Sequence, residues 1–387
     1  MANLGWTSVK LTRVHARAAR IPVLRPTRIA TRLLDKRDYV LVQAEREDGD
    51  VIGVGYAYAG TSGGQLLARV VNELLAPMLV GADADDMVGT WERMYQETLL
   101  VGRRGGVLRA MSAVDIALWD LAAKRVGQPL AVFLGGAVKA VPAYASGGYY
   151  RPEAGAWADA VTDEISLNRS LGFRDHKIKV GGLTLQEDAG RVAAAAAAIG
   201  NGGRLALDAN NAYGSAAEAL RALRVFERAA GDVGLWWFEE PLTADDLAGH
   251  AALRRQAETP IATGELAQTR WEFRDMLERG AADIIQPDAG VLGGVTEYMR
   301  VVRAAEVFAV PVAPHWHANL HVHLAAASSN CLSVEHFLLD KDIYNFERLL
   351  TPESRLAVVD GQVVVPDRPG LGLQFDEDAV EEFSMPG

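Results

Sequence analysis

After Lys139 the chain settles into one repeating rhythm: short β-rich runs separated by Ala/Leu-rich stretches of helical period. The strand candidates are Val141–Ala145, Lys177–Val180, Leu205–Leu207, Leu235–Phe238, Pro260–Thr263, Asp283–Gln286, Val310–Ala313 and Leu332–Val334. Short apolar strands that alternate with helices are the pattern of a parallel sheet covered on both faces. Eight such units predict an α/β architecture, a closed (β/α)8 barrel of TIM-like kind, with a doubly wound sheet as the alternative.

The segment before this rhythm reads differently. Val9 to Tyr58 alternates like paired strands, with Tyr39–Ala44 and Val51–Tyr56 joined through the turn Glu47-Asp48-Gly49-Asp50. From Gln65 to Lys124 apolar residues recur at three and four, most clearly over Met111–Leu121, and Gly127-Gln128-Pro129 ends the helix. The expected organisation is an α+β capping domain over 1–130 and a barrel over 131–355. A C-terminal segment, 356–387, follows. Its turn Asp360-Gly361 reads as a hairpin returning to the capping domain.

With 387 residues, 49% of them hydrophobic, the chain can bury a large core. A net charge of −11 argues against nucleic acid or an anionic membrane as partner, though a locally positive pocket for an acidic small molecule stays open. The single cysteine, Cys331, excludes an intrachain disulfide and suits a reducing compartment. The longest wholly apolar run, Val192–Ile199, falls far short of the roughly 20 residues of a membrane span. Met1-Ala2-Asn3-Leu4 shows no apolar signal core. A soluble, cytoplasmic protein is expected.

Chemistry is concentrated where the strands end. Lys177 and Lys179, Asp208, Glu239 and Glu240, Glu265, Asp288, His315 and Glu335 stand at the ends of seven successive strand candidates. A charged residue after a strand is ordinary, because a loop begins there; seven in register are what a barrel active site requires. Asp208, Glu239 and Glu265 have no lysine or arginine beside them in sequence, and clustered carboxylates repel unless a cation neutralises them. Hard oxygen donors with room for water and substrate suit Mg²⁺. Glu239 and Glu240 could instead cap the next helix before Pro241. Lys177 and Lys179 share a strand face, so each is expected to lower the other's pKa and make a neutral base available. Asp288 and His315, on consecutive strands, offer a second base oriented by a carboxylate.

These segments resemble the enolase superfamily, mandelate racemase subgroup, along nearly the whole chain. The matching stretches are His176–Gly181, Leu207–Asn210, Trp237–Pro241, Thr263–Glu265, Gln286–Asp288, Pro314-His315 and Val334–His336, with Gly102–Gly105 and Ser112–Asp120 in the capping domain. From Lys179 to Glu335 the intervals run 29, 31, 26, 23, 27 and 20; the Asp208–Glu239 interval is long and suggests an insertion near Gly231-Asp232. The resemblance implies proton abstraction α to a carboxylate, with Asp208, Glu239 and Glu265 holding Mg²⁺ against an enediolate. It implies Lys179, supported by Lys177, as base on one face and His315 with Asp288 on the other. Glu335 would hydrogen-bond the enediolate oxygen, Asn210 would contact substrate, and a homo-oligomer is implied by analogy. Two outcomes follow: racemisation or epimerisation of a 2-hydroxy acid, or loss of a β-hydroxyl to give a 2-keto acid.

Dehydration of a sugar acid, an aldonate or aldarate, is favoured. The Pro-His and Val-Glu-His-Phe stretches resemble acid-sugar dehydratases, and the capping loops read as polar. Arg20, Arg25, Arg28 and Arg32 cluster in one expected loop and Tyr56–Gly64 forms a hydroxyl-rich second, which makes Arg25 and Tyr56 candidate substrate contacts. Other readings are weaker. His315, His317, His321 and His323 invite a zinc hydrolase, but a strand–loop–helix passage would scatter them over several faces. Gly53-Val54-Gly55 lacks the third glycine of a dinucleotide fingerprint. Asp288–Gly294 carries glycines that could cradle phosphate, without a P-loop lysine. A non-catalytic binding protein would be expected to have lost a ligand or base, and none is missing.

Overall fold

The structure is a computed structural model that describes residues 8–49, 51–151 and 157–386. Met1–Leu4 and Asp50 of the readings above lie outside them.

Three antiparallel strands open the chain: β1 (Leu11–Arg28), β2 (Leu33–Arg46) and β3 (Ile52–Tyr58), in the order β1-β2-β3. Of the expected arginine loop only Arg32 lies outside a strand. Arg20 through Arg28 belong to β1, which pairs with β2 across an irregularity between Pro22 and Thr27. The alternation of apolar residues continues past Arg20 because the ribbon overhangs the barrel and has a face to bury.

The helix Gly106–Arg125 lies on this sheet and is buried on nearly every side. Gly53 and Gly55 explain how close it comes: a Cβ on either would stand 2.2 Å from the Ala117 carbonyl oxygen or 2.1 Å from that of Ala113. The glycines flagged in the sequence thus serve backbone contact, not phosphate. The helix's other face docks on the barrel, where Asp115 accepts from the Thr296 N–H at 2.9 Å and the Thr296 hydroxyl at 2.6 Å. Gly294 makes this possible, since a side chain there would collide with Asp115.

The barrel strands are β4 (Ala140–Gly147), β5 (His176–Lys179), β6 (Leu205–Asp208), β7 (Phe238–Glu239), β8 (Ile261–Thr263), β9 (Ile284–Ile285) and β10 (Val334–His336). Each pairs in parallel with the next from β4 to β9, and β10 closes the ring on β4. The seventh position, expected at Val310–Ala313, is reduced to Val312, which bridges Ile285 on one side and Cys331 on the other. The ring is therefore closed, and the doubly wound alternative is excluded.

Helices pack around the ring by the pattern that produced them. In Leu185–Ile199, Val192, Ala195, Ala196 and Ile199 form one buried stripe, and Thr184 with Glu187 forms a capping box at its start. A 3₁₀ turn, Gly231–Val233, occupies the long interval before Glu239.

The tail corrects one detail. Its hairpin, β11 (Val358–Val359) and β12 (Gln362–Val364), pairs with β4 of the barrel. The return to the cap is made beyond it, where Leu371 N–H reaches Asp120 at 2.6 Å and Met385 N–H reaches the Ala18 carbonyl at 2.9 Å. Among the described residues no helix is long and apolar enough to cross a membrane.

Candidate active site

Strand register sets the site. Lys179 pairs with Asp208 and Asp208 with Glu239, so three neighbouring strands present their chemical residues at one level. Two residues below, Ala206, Trp237, Ile284 and Ala313 fill the barrel interior with Tyr144 and Ala262. The period of two that stacks this apolar plug also points Asp208, Glu239, Gln286 and His315 inward above it.

Lys177 ties the layer together. Its ammonium lies 2.5 Å from Glu239 Oε1, 2.8 Å from Glu335 Oε1 and 3.8 Å from Asp208 Oδ2. Glu239 Oε2 accepts from Trp237 Nε1 at 2.9 Å and Gln286 Nε2 at 2.6 Å. Asp208 accepts from the Asn210 backbone N–H at 2.9 Å and forms an ion pair with Lys179. Glu335 Oε2 accepts the Trp316 N–H at 2.7 Å, holding that residue at φ 70°, where a bulky side chain is strained. Glu240 turns away from the site; its carboxylate takes Thr263, Gly264 and Asn211 and secures the strand ends.

Electrostatics correct the expectation for the lysines. Burial lowers the pKa of each, but the surrounding carboxylates outweigh it: Glu239 and Glu335 raise Lys177, and Asp208 raises Lys179. Mutual repulsion between the lysines is the smaller effect, and the net direction for both is upward. The carboxylates divide. Burial pushes Glu239 up to about 8 and Glu265 to about 7, with neighbouring acids adding to the rise and Lys177 and His315 opposing it. For Asp208 burial also raises, yet Lys179 and Lys177 bring it down to about 2.

One oxygen from each of Asp208, Glu239 and Glu265 lies within 4.8 Å of the others, and Glu265 Oε2 is buried without a hydrogen-bond partner. A small hard divalent cation fits this donor set. Among the described residues it is the one cluster of its kind. The histidines do not form another. His315 and Asp288 make a pair, Nδ1 to Oδ2 at 2.9 Å. His317 and His321 stand behind it, while His323 bonds Ala131 and Leu371. The zinc reading falls with that scatter.

A cavity of about 310 Å³ opens above this layer, lined by Lys179, Asn210, Glu265, Asp288 and His315 from the barrel. Lys177, Asp208, Glu239 and Glu335 lie beneath its wall. Tyr56 does not reach it. Its ring stacks on Phe346 at 3.8 Å and its hydroxyl meets that of Tyr344 at 3.2 Å. Arg25 is exposed and faces a neighbouring cavity with Arg151 and Lys341. Arg32 and Tyr58, from the two stretches flagged in the sequence, do line the cavity, whereas the sequence reading missed Arg37, Arg109 and Tyr149. No local pattern marked them; Arg37 sits between Lys36 and Asp38 in a strand like any surface charge.

Residues 160–379 match the family model for an enolase C-terminal domain-like unit, and residues 11–135 match the mandelate racemase/muconate lactonizing enzyme N-terminal domain. The chain belongs to the mandelate racemase group of the enolase superfamily. Among curated members of that superfamily, arabinonate dehydratase of Saccharolobus solfataricus is 35% identical over 89% of this chain and 90% of its own length. D-galactarolactone cycloisomerase of Agrobacterium fabrum is 31% identical over 98% and 100%. The structure of L-talarate/galactarate dehydratase from Salmonella typhimurium LT2, liganded with Mg and L-lyxarohydroxamate, superposes with a TM-score of 0.89 at 30% identity. The match covers 100% of this chain and 95% of that one. The chain is thus an enzyme of the enolase superfamily, with the capping domain and barrel that group shares.

Proposed function

We propose that this enzyme is a Mg²⁺-dependent lyase that removes water from a sugar acid, aldonate or aldarate, to give a 2-keto-3-deoxy acid. The observation that carries the reading is the convergence of Lys179 and the His315–Asp288 pair, from separate strands, on one cavity beside the carboxylate triad. Lys179 and His315 are two groups able to move protons at different faces of one bound molecule.

Asp208, Glu239 and Glu265 are the ligands that would hold Mg²⁺. When bound, it supplies Lewis-acid stabilisation of the negative charge developing on the substrate carboxylate. Asp208 is what holds the proton on Lys179, so a cation sharing that carboxylate would release it. As the free amine Lys179 takes the C2 proton, and the electron pair left behind forms the C2–C3 double bond as the C3–O bond breaks. His315 gives its proton to the departing hydroxyl, which leaves as water. Burial lowers the His315 pKa, but Glu265 and Asp288 carry it up to about 9, so a proton is available for that transfer. Asp288 fixes the ring through Nδ1, and its other oxygen is anchored by the Gly290 N–H at 2.7 Å. The enol product then tautomerises to the keto acid. Lys177 and Glu335 hold the ligand layer and Trp316 in place, and Asn210 faces the substrate.

The same two proton carriers favour a second reading, racemisation or epimerisation of a 2-hydroxy acid by return of the proton to the opposite face. One assay separates them. Purified protein with Mg²⁺ is screened against mono- and diacid sugars, with 2-keto acid detected chemically and C2 exchange in D₂O followed by NMR. Keto acid that EDTA abolishes supports the lyase; exchange without keto acid supports the isomerase; silence on both counts rejects the sugar-acid substrate.

A further inference from the structure

The cavity has two unlike walls. The barrel contributes the proton-transfer groups and Glu265, whereas the capping domain contributes Arg32, Arg37 and Arg109. Among the described residues no carboxylate forms an ion pair with any of these three arginines. Arg37 is the sharpest case. It is only 2% exposed, Nη1 donates to the Tyr58 hydroxyl at 2.8 Å, and Nε and Nη2 are buried without partners. Its guanidinium lies over the Trp316 ring at 4.6 Å and the Tyr58 ring at 5.2 Å. Arg109, in the first turn of the Gly106–Arg125 helix, gives one nitrogen to the Tyr58 carbonyl at 3.2 Å.

A buried cation without a counter-charge is costly, and ring faces offset only part of that cost. Aromatic packing fixes the Arg37 plane while leaving donors free, the arrangement that receives a planar, bidentate anion. Glu265 lines the barrel end of the same cavity, with Asp208 and Glu239 beneath it, and a cation held by the three would claim one carboxylate of the substrate.

We propose that Arg37, with Arg109 beside it, binds a second carboxylate at the far end of the substrate, so that the substrate class is the sugar diacids rather than the monoacids. This rests on the lyase reading for the reaction, though not for the binding. Tyr58 is a positioning residue, holding both arginines through its hydroxyl and its carbonyl.

The test reads binding without turnover. Lys179→Met enzyme loaded with Mg²⁺ is titrated by calorimetry with matched six-carbon aldarates and aldonates of equal configuration, alone and combined with Arg37→Met, Arg37→Lys or Arg109→Gln. Diacids should bind on the order of 10- to 100-fold more tightly than their monoacid partners, the scale of hydrogen bonds to charged groups. Arg37→Met should collapse that ratio to within a few-fold, Arg37→Lys should restore part of it, and Arg109→Gln should reduce it. Thermal unfolding checks each variant, and if Arg37→Met fails to fold, Arg109→Gln at its half-buried site carries the test. Equal affinity for both classes, a ratio unmoved by the arginine variants, or preference for a phosphate-terminated monoacid over the diacid would overturn the proposal. Diacid-selective binding with no keto acid from wild-type enzyme would sink the lyase reading alone. Keto acid from monoacids bound as well as diacids would sink this one alone.

Discussion

Nδ1 of His315 lies 2.9 Å from Oδ2 of Asp288, on the edge of the cavity, while Nε2 faces Glu265 Oε2 at 3.6 Å. One nitrogen is fixed by a buried carboxylate and the other is left for chemistry. Asp288→Asn keeps the shape and removes the charge that sets tautomer and proton affinity. Turnover should fall by about 10²- to 10⁴-fold, the usual worth of a positioned acid or base. Steady-state kinetics check this, and a loss under threefold would remove Asp288 from the mechanism.

Lys179→Met and His315→Asn each remove one proton carrier, and with it a positive neighbour of Asp208 or Glu265, while leaving the three ligand carboxylates in place. Both should abolish keto-acid formation while Mg²⁺ binding, measured by calorimetry, becomes no weaker. Full activity in His315→Asn would defeat the two-sided mechanism.

Glu265→Gln is expected to behave the opposite way. The amide preserves size but removes a hard anionic donor whose Oε2 accepts no hydrogen bond. Mg²⁺ affinity should fall at least about tenfold, in the range that loss of a supporting metal interaction produces. Unchanged affinity would take Glu265 out of the ligand set.

Much of this was legible because barrel and site obey periods that sequence displays directly. Strand–helix alternation announced the ring, and side-chain alternation placed Asp208, Glu239 and His315 above an apolar plug. The seventh strand shrank to Val312 because its neighbours pair there by single bridges, something hydropathy does not encode.

The cap was harder to read, for a reason of depth. Tyr56 and Tyr58 share a strand face, but Tyr56 is covered by Tyr344 and Phe346 while Tyr58 extends into the cavity. Likewise Arg25 and Arg37 look alike in sequence, and only the packing of the ribbon over Trp316 buries one and exposes the other. The lysine prediction failed because two neighbours in sequence outweighed, on paper, three carboxylates that arrive from other strands.

Acid should loosen the fold through buried neutral histidines. His323 Nδ1 accepts from the Ala131 N–H at 3.2 Å and Nε2 meets the Leu371 carbonyl at 3.2 Å, joining barrel, linker and tail. Burial pushes its pKa down to about 4, and His336 and His176 are lowered similarly. The unfolded chain takes up these protons below about pH 6.5, the folded one only near 4. Stability is therefore whole above 6.5 and lost as pH falls toward 4, by up to about 1.4 kcal/mol per pH unit for each histidine. Glu239 and Glu265, whose pKa values are raised, add stability as pH falls through the same window, so the histidine contribution is read by difference. Between pH 7 and 5 the urea midpoint of His323→Gln should gain on that of the wild type, and a difference that does not change with pH would contradict the assignment.

The central claim, cation-dependent removal of a proton next to a carboxylate, is tested most directly by following the substrate's C2 proton by NMR in D₂O. With Mg²⁺, the C2–H signal of a turned-over sugar acid should vanish in step with a 2-keto-3-deoxy product carrying one deuteron at C3, and EDTA should stop both. Keto acid formed at the same rate with EDTA, or a C2–H signal that persists for every sugar acid at saturating Mg²⁺, would contradict the account.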